Sequence, residues 1–180
     1  ALLLIVVLYP GEKIPQGEVQ IVILDVGQGL ANVVHTQNHT LLFDTGARYP
    51  SGFNMGAAII SPYLQSKQIK HLDKIIISHG DNDHIGGLDS VLEVFNTKEI
   101  LTSEPDKILQ KTTLCKSGQN WKWDGVLFEI LNPDHHWQGN NASCVLKVST
   151  KDRSVLLSAD IEKKAEKHLV KTLKAKLNAD

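Results

Sequence analysis

The sequence predicts an α/β sandwich, in which helices cover the outer faces of two packed β-sheets. Short apolar, hairpin-like runs occur in two groups, one early and one late in the 180-residue chain, and a helical pattern follows each group. The composition, 42% hydrophobic and 22% charged, is that of a globular protein that can bury a core. The formal net charge of -1 provides no overall positive field to attract nucleic acid.

The first part of the main domain contains five strand-like runs and two helical patterns. The predicted strands cover residues 19–26, 30–36, 40–45, 73–78 and 98–102. Asn54 is expected to cap a helix that reaches Gln65 and is broken or kinked at Pro62. A second helix is expected over residues 88–95.

Two predicted hairpins and a long helix follow. Strands over residues 121–123 and 126–131 flank Asp124-Gly125, which is a strong signal for a two-residue hairpin turn. Strands over 143–150 and 153–158 form the second hairpin. The last helix is predicted from apolar side chains at every fourth position: Ile161, Ala165, Leu169, Leu173 and Leu177. Its lysines are interpreted as a solvated face rather than a DNA-binding surface.

Residues 1–18 are expected to be the end of a transmembrane segment followed by a linker, and residues 19–180 the main domain. The run from Ala1 to Tyr9 is wholly apolar, and proline, glycine and charged residues follow it abruptly. This run is too short to cross a bilayer alone, since a spanning helix needs about 20 residues. A buried first strand is the alternative interpretation.

The two cysteines, Cys115 and Cys144, lack the spacing of a zinc knuckle. Cys144 lies in an alternating, strand-like run and is interpreted as a core residue. A disulfide between the two cysteines stays open, and with it the redox compartment of the protein.

The stretch from Ser78 to Gly87 carries the strongest chemical signal in the chain. Two imidazoles and two carboxylates lie close together directly after an apolar strand, and two glycines follow them. Histidine nitrogen and aspartate oxygen are good ligands for zinc, manganese or iron. A pair of such ions activates water near neutral pH and stabilises both the attacking and the leaving oxygen of a displacement. The pattern therefore predicts a metal site.

Other candidate ligands lie at the ends of predicted strands. Asp44 ends one strand, His79 a second and Asp160 a third, and ligands at strand ends are typical of open α/β sites. Each residue taken alone also has a simpler interpretation. Asp44 begins a common turn sequence, and Asp160 could simply cap the helix that follows it.

The motifs that carry these residues resemble those of the metallo-β-lactamase superfamily. The superfamily signature is HxHxDH, and this chain has HxDxDH from His79 to His84. The sequence LDVGQG resembles the first-strand motif, and DTG at Asp44 the turn that supports the metal loop. Together with NNASCVL and LLSADIEKKAE, these motifs are similar to the hydrolase-like domain of ComEC-type competence proteins. The resemblance implies the αββα form of the sandwich.

The resemblance also implies two divalent metal ions, zinc or manganese, held by His79, Asp81, Asp83, His84 and Asp160. His79 and Asp81 would serve the first ion, Asp83 and His84 the second, and Asp160 would bridge them. Because Asp81 stands where the signature has histidine, the set is richer in oxygen, which favours harder ions such as manganese.

The remaining site residues are also assigned from the resemblance. Asp83 is assigned a catalytic role, as are Asn141 and Ser143, which occupy the place where many members carry a further histidine. The metal loop is expected to be supported by Asp25, Asp44, Gly46, Gly86 and Gly87.

Two departures from the family pattern are expected to matter. Ala159 precedes the bridging aspartate, where the family usually has glycine. A late histidine-rich motif is also missing, so the domain is expected to be truncated at its C-terminus, to lack part of its second sheet, and to be weakly active or inactive as it stands.

The function that the resemblance implies is a metal-dependent phosphodiesterase or nuclease that acts on DNA during uptake. The implied partners are single-stranded DNA, the membrane through preceding segments, and other DNA-uptake proteins. The domain is expected on the extracytoplasmic side of the inner membrane. Two alternatives stay open: a non-catalytic DNA-guiding or structural module of a transport protein, and a hydrolase of another phosphoester or thioester.

Overall fold

A computed structural model describes residues 13–133 and 137–180 of the chain. Its strands are β1 (Gln20–Ile23), β2 (Asn32–His35), β3 (Thr40–Phe43), β4 (His71–Leu72), β5 (Lys74–Ile77), β6 (Asn96–Thr97), β7 (Ile100–Thr102), β8 (Thr113–Leu114), β9 (Asn120–Trp123), β10 (Val126–Asn132), β11 (Val145–Ser149) and β12 (Ser154–Leu157). Its α-helices are α1 (Ser61–Ser66), α2 (Asn82–Ile85), α3 (Leu88–Leu92) and α4 (Lys163–Leu173).

The larger sheet has the strand order β1-β2-β3-β5-β7-β8. Strands β1 to β3 are antiparallel, whereas β3, β5, β7 and β8 run parallel to one another. The carboxyl ends of the parallel strands therefore meet at one edge of the sheet, which is where open α/β sheets build their sites. A separate short pair, β4 and β6, lies outside this sheet.

The second sheet has the order β12-β11-β10-β9 and is antiparallel throughout. Strands β9 and β10 form a hairpin in which Trp123 pairs with Val126. The two turn residues, Asp124 and Gly125, have φ values of 49° and 91°, as a type I′ turn requires. The hairpin predicted from Asp124-Gly125 is confirmed.

Three apolar clusters hold the layers together. The central cluster lies between the two sheets and includes Phe43, Ile76 and Phe128. A second cluster packs α1 and α3 onto the outer face of the larger sheet. The third packs Leu169 of α4 against Leu131 and Val145 of the second sheet. This order of helix, sheet, sheet and helix is the predicted αββα sandwich.

The region around Pro62 differs from its prediction. Instead of a break, a π-helical turn over Gly56–Ile60 runs directly into α1, and Pro62 lies in the first turn of that helix. Proline is tolerated there because its fixed φ matches that of the first turn of an α-helix. The side chain of Asn54 accepts a hydrogen bond from the amide of Ala57 at 2.9 Å, as expected of a cap.

Some sequence predictions concern residues 1–12 and 134–136, which lie outside the described residues. They include the apolar N-terminal run and His135 and His136, interpreted as solvent-facing. Across residues 13–133 and 137–180, no helix has the length and apolar character needed to cross a bilayer.

Cys115 and Cys144 form a disulfide between buried positions, with Cα atoms 6.1 Å apart. It joins the loop after β8 to the loop before β11, and so ties the two sheets together.

Asp124 links the two sheets at the end of the sandwich opposite the disulfide. Its carboxylate accepts hydrogen bonds from the Thr36 hydroxyl (2.6 Å) and from the backbone and side-chain amides of Asn38 (both 2.8 Å), and its Oδ2 lies 2.9 Å from Nδ1 of His39. Desolvation works to raise the pKa of Asp124, but these hydrogen bonds outweigh it and hold the pKa well below its ordinary value. The β9–β10 turn is thus fastened to the β2–β3 turn.

Substitution of Asp124→Asn is expected to lower the free energy of unfolding at pH 7 by about 1–3 kcal/mol. Asparagine tolerates the left-handed backbone but loses the charge and one acceptor oxygen. Because folding lowers the carboxylate pKa, the stabilisation is present above about pH 4 and disappears as the pH falls through the folded-state value. Urea unfolding at pH 7 and pH 3 measures both effects. Asp152→Asn, in the exposed turn of the other hairpin, is the control and should change little; equal effects of the two substitutions would refute the role of Asp124.

Candidate metal centre

The candidate ligands His79 and His84 lie on a tight turn at the carboxyl end of β5. Helix α2 is a single turn that begins after Asp81 and reverses the chain, so that the two imidazole centroids lie 4.2 Å apart. The carbonyl of His84 accepts hydrogen bonds from the amide (2.7 Å) and the hydroxyl (2.8 Å) of Thr45. The amide of Leu30 donates to the carbonyl of Asp83 at 3.1 Å. The turn is thereby fixed to the segments that follow β3 and precede β2.

Three side chains converge on one point. Ligand atoms of His79, His84 and Asp160 all lie within 4.8 Å of one another. Both histidines are buried, whereas the side chain of Asp160 is 44% exposed, so the point opens to solvent on the carboxylate side. Asp160 follows β12 and reaches the site from the second sheet, and its Oδ2 lies 3.3 Å from Nε2 of His84. The site therefore spans the rim of both sheets.

Asp81 and Asp83 flank this trio without belonging to it. Oδ2 of Asp81 lies 3.5 Å from Nε2 of His79, and Oδ2 of Asp83 lies 3.9 Å from Nε2 of His84. Both carboxylates are about half exposed. The structure thus places one aspartate beside each imidazole, which is the pairing that the resemblance implies.

Asp44 and Ser78 orient the imidazoles from behind. The buried carboxylate of Asp44 accepts hydrogen bonds from the amide (2.6 Å) and the hydroxyl (2.7 Å) of Ser78, and its Oδ2 lies 2.8 Å from Nδ1 of His84. The Ser78 hydroxyl is in turn 3.1 Å from Nδ1 of His79. With both Nδ1 atoms engaged by these partners, both Nε2 atoms face the site, as in proteins where a carboxylate fixes the orientation of a metal-binding histidine.

The charges around His84 create a field that favours a cation. Burial works to lower the pKa of His84, but the hydrogen bond with Asp44 and the carboxylates of Asp160 and Asp83 outweigh it and raise that pKa to about 9. A field that stabilises a proton on this imidazole also stabilises a positive ion beside it. A metal ion and a proton therefore compete for the same lone pair on the His84 imidazole.

The Nε2 atom of His79 provides a direct test of whether the residues suit a metal. It is buried and, within residues 13–133 and 137–180, has no hydrogen-bond partner. A buried polar nitrogen without a partner costs free energy, which a bound ion would remove. Neutral imidazoles with carboxylates are also a normal ligand set for divalent transition metals. The residues present therefore fit a divalent ion.

The predicted support residues have different surroundings. Gly46 has a φ of 64°, and a Cβ at Gly86 or Gly87 would collide with the backbone of Arg48 or Thr45 respectively, so each of these close packings needs a glycine. Asp25, by contrast, is exposed and accepts only a local hydrogen bond from the amide of Gly27 at 3.1 Å.

Asn141 and Ser143 are engaged elsewhere. The Asn141 oxygen accepts from the amides of Glu162 (3.1 Å) and Ala165 (3.3 Å), which caps the N-terminus of α4. The Ser143 hydroxyl donates to the carbonyl of Asn140 at 2.6 Å. Neither belongs to the trio, and a catalytic role for them stays a prediction. Sequence reasoning missed Ser78, whose only signal was its position between an apolar strand and His79.

The layered fold with a turn rich in histidine and aspartate at its rim is that of the metallo-β-lactamase superfamily. The model of the metallo-beta-lactamase superfamily matches residues 24–175, and the chain belongs to this superfamily. BJP-1, a subclass B3 metallo-beta-lactamase of Bradyrhizobium japonicum, has a similar fold, with a TM-score of 0.57 and 18% sequence identity; the match covers 93% of this chain and 73% of that one.

Within the superfamily, the chain is similar to competence proteins. It is 38% identical over 157 residues to recombination protein 2 of Haemophilus influenzae, a match that covers 86% of this chain and 20% of that protein. It is 36% identical over 166 residues to competence protein ComA of Neisseria gonorrhoeae, with 90% and 23% covered. The resemblance to competence proteins is confirmed. The chain spans about a fifth of the length of these relatives.

Substitution of Ala159→Gly is expected to leave the free energy of unfolding unchanged or to raise it by up to about 1 kcal/mol. Ala159 has a φ of 48°, a conformation that costs alanine about 1–2 kcal/mol but costs glycine little. The lost methyl contact and the greater freedom of glycine in the unfolded chain offset part of the gain. Thermal and urea unfolding measure the change. Ala165→Gly, inside α4, should destabilise by about 1 kcal/mol; a similar loss at Ala159 would contradict the prediction.

Proposed function

We propose that this chain is the metal-dependent hydrolase domain of a DNA-uptake protein and that it cleaves phosphodiester bonds of single-stranded DNA. The observation that carries the proposal is the convergence of His79, His84 and Asp160, in which the buried Nε2 of His79 has no hydrogen-bond partner among the described residues. Such an arrangement has no structural purpose in the fold, because an apolar side chain would fill the same space without an unsatisfied nitrogen.

The five ligands proposed from the sequence divide naturally into two sets. His79 and Asp81 form one, His84 and Asp83 the other, and Asp160 lies where it can contact both. Divalent ions held there would supply Lewis acidity toward a phosphoryl oxygen and lower the pKa of water. A ligand set of three carboxylates and two imidazoles favours manganese over ions that prefer nitrogen ligands, and zinc is the alternative.

An aromatic hairpin beside the metal turn supports a single-stranded substrate. Tyr49 and Phe53 are 39% and 54% exposed, and their ring centroids lie 5.9 Å apart. Asn82 holds this hairpin to the metal turn, because its amide donates to the carbonyl of Arg48 at 2.9 Å and its oxygen accepts from the amide of Arg48 at 3.3 Å. Exposed aromatic faces next to a basic side chain are typical of proteins that stack unpaired bases.

The cellular setting is proposed from the relatives. One of them is named as a competence protein, which supports a role in DNA uptake. We place the domain outside the cytoplasm, attached to the inner membrane through preceding segments and working with other DNA-uptake proteins. DNA that enters as one strand leaves a second strand to be degraded, which is the task we assign to this site.

Divalent metal binding should require the buried histidines. Isothermal titration with Mn²⁺ and Zn²⁺ is expected to show binding by the wild-type protein and a loss of at least about 100-fold in affinity in His79→Ala and in His84→Ala. His71→Ala is the matched control, because that ring is 52% exposed and lies on β4, away from the rim. Equal affinity in wild type and His79→Ala would show that this imidazole is not a ligand.

DNA cleavage should require Asp83. A protein that contains the whole domain, incubated with single-stranded DNA and Mn²⁺, is expected to cleave it, and Asp83→Ala should reduce the rate on the order of 100-fold or more because a ligand is lost. Asp152→Ala, with an exposed carboxylate in a distant turn, should retain full activity. Undiminished cleavage by Asp83→Ala would exclude the proposed chemistry. Binding of DNA without cleavage by any variant would favour a guiding module instead.

A further inference from the structure

A groove of about 450 Å³ opens directly beside the candidate ligands Asp83, His84 and Asp160. One wall comes from β1 and the loop that joins it to β2, and the other from the end of β12. The groove therefore lies between the two sheets at their shared rim. A substrate whose reacting group reached the metal ligands would extend into this space.

Asn32 is the unexplained residue of the groove. It lines the groove, yet its side chain is buried, with 3% of the residue exposed, and its side-chain oxygen has no hydrogen-bond partner in the described part of the chain. Val33, next along β2, packs toward the helices, whereas Val34 packs between the sheets. Since neighbouring residues of a strand face opposite sides, Asn32 projects between the sheets like Val34. Its partner across the strands is Phe43, which directly precedes Asp44.

A buried amide oxygen without a partner destabilises the fold, since it loses its hydrogen bonds to water and gains none. The adjacent core residues of β2, Val33 and Val34, have no such cost, whereas the fourth buried residue, His35, also has a ring nitrogen without a partner among the described residues. The two possible assignments of the Asn32 side-chain oxygen and nitrogen lead to the same conclusion, because the amide has a donor and an acceptor in either orientation and both need partners. The natural explanation is a ligand that completes these bonds.

The chemistry of the groove indicates what kind of ligand this is. Its described lining residues include no lysine or arginine; the carboxylates of Asp83 and Asp160 outnumber the one imidazole, His84, which lies at the candidate metal position. An anionic phosphate would be repelled anywhere except at the metal ions. The remaining walls are apolar, among them Ile23, which is 76% exposed, and Leu156, with the amide of Gln28 at the rim. A flat, uncharged heterocycle with donors and acceptors along its edge fits these surroundings.

We propose that Asn32 is a nucleobase-binding residue: the base adjacent to the cleaved phosphodiester enters this groove, and the Asn32 carboxamide hydrogen-bonds to its edge. The inference rests on the proposed hydrolysis of single-stranded DNA and deepens it, because it identifies a residue that binds the strand. An unpaired strand is required, because a base inside a duplex cannot leave the stack without losing its pairing.

Asn32→Leu and Asn132→Leu form a matched pair for testing this. Both asparagines are buried, but the amide of Asn132 donates to the carbonyls of Asn141 (2.9 Å) and Ser143 (2.8 Å). Asn132→Leu should therefore lower the melting temperature by several degrees, whereas Asn32→Leu should leave it unchanged or raise it. A structural role for Asn32 predicts a fall in both variants.

Binding is measured without any cleavage, with adenosine, cytidine, guanosine and thymidine as probes in NMR titrations of side-chain amide signals. At least one nucleoside is expected to shift the Asn32 signal, while ribose and inorganic phosphate do not. Asn32→Leu should weaken the binding of that nucleoside about tenfold. On DNA, removal of the single base next to the cleavage point should raise KM in the wild type and not in Asn32→Leu.

The outcomes separate this inference from the proposed function. Nucleoside binding that needs Asn32, in a protein that cleaves no DNA, supports the base site and contradicts the proposed hydrolase activity. Cleavage of DNA with nucleoside binding and base dependence equal in wild type and Asn32→Leu overturns the base site and leaves the hydrolase standing. A fall in melting temperature of Asn32→Leu equal to that of Asn132→Leu also overturns it.

Discussion

The buried carboxylate of Asp44 is the interaction on which the candidate site depends. It lies at the end of β3, accepts two hydrogen bonds from Ser78 at the end of β5, and lies 2.8 Å from Nδ1 of His84 on α2. One buried carboxyl group therefore fixes the spacing of two parallel strands and the orientation of a proposed ligand. Burial raises the pKa of Asp44 against the opposing effects of His84 and Ser78. A buried polar group is tolerated only when it is hydrogen-bonded, so the turn cannot relax without leaving this group unsatisfied.

Two of the described non-glycine residues with positive φ lie where the two sheets meet at this point. Asp44, which orients His84, has a φ of 61°, and Ala159, which directly precedes Asp160, has a φ of 48°. Non-glycine residues in this conformation are held there by their surroundings, and such positions cluster at functional sites. In both cases the strain accompanies a sharp change of chain direction at a strand end, which turns a side chain onto the rim instead of into the core.

The sequence predicted those features whose causes are local. Asp124-Gly125 determined a two-residue hairpin through its backbone preference, and the spacing of His79, Asp81, Asp83 and His84 predicted a metal turn. It did not predict features that depend on distant partners. The parallel order of β3, β5 and β7, the capping of α4 by Asn141, and the hydrogen bonds of Ser78 are all set by contacts between segments far apart in the chain. Pro62 was misjudged because the chain before it forms a wider helical turn, which no local pattern announced.

The central claim is that divalent metal binds at the two buried imidazoles and the Asp160 carboxylate. Diffraction from crystals grown with Mn²⁺, recorded on both sides of the manganese absorption edge, locates that ion directly. The account predicts an anomalous peak about 2.0–2.3 Å from Nε2 of His79 or His84 and from an oxygen of Asp160. A fully ordered rim with no peak there, or manganese found only at surface carboxylates elsewhere, would contradict it.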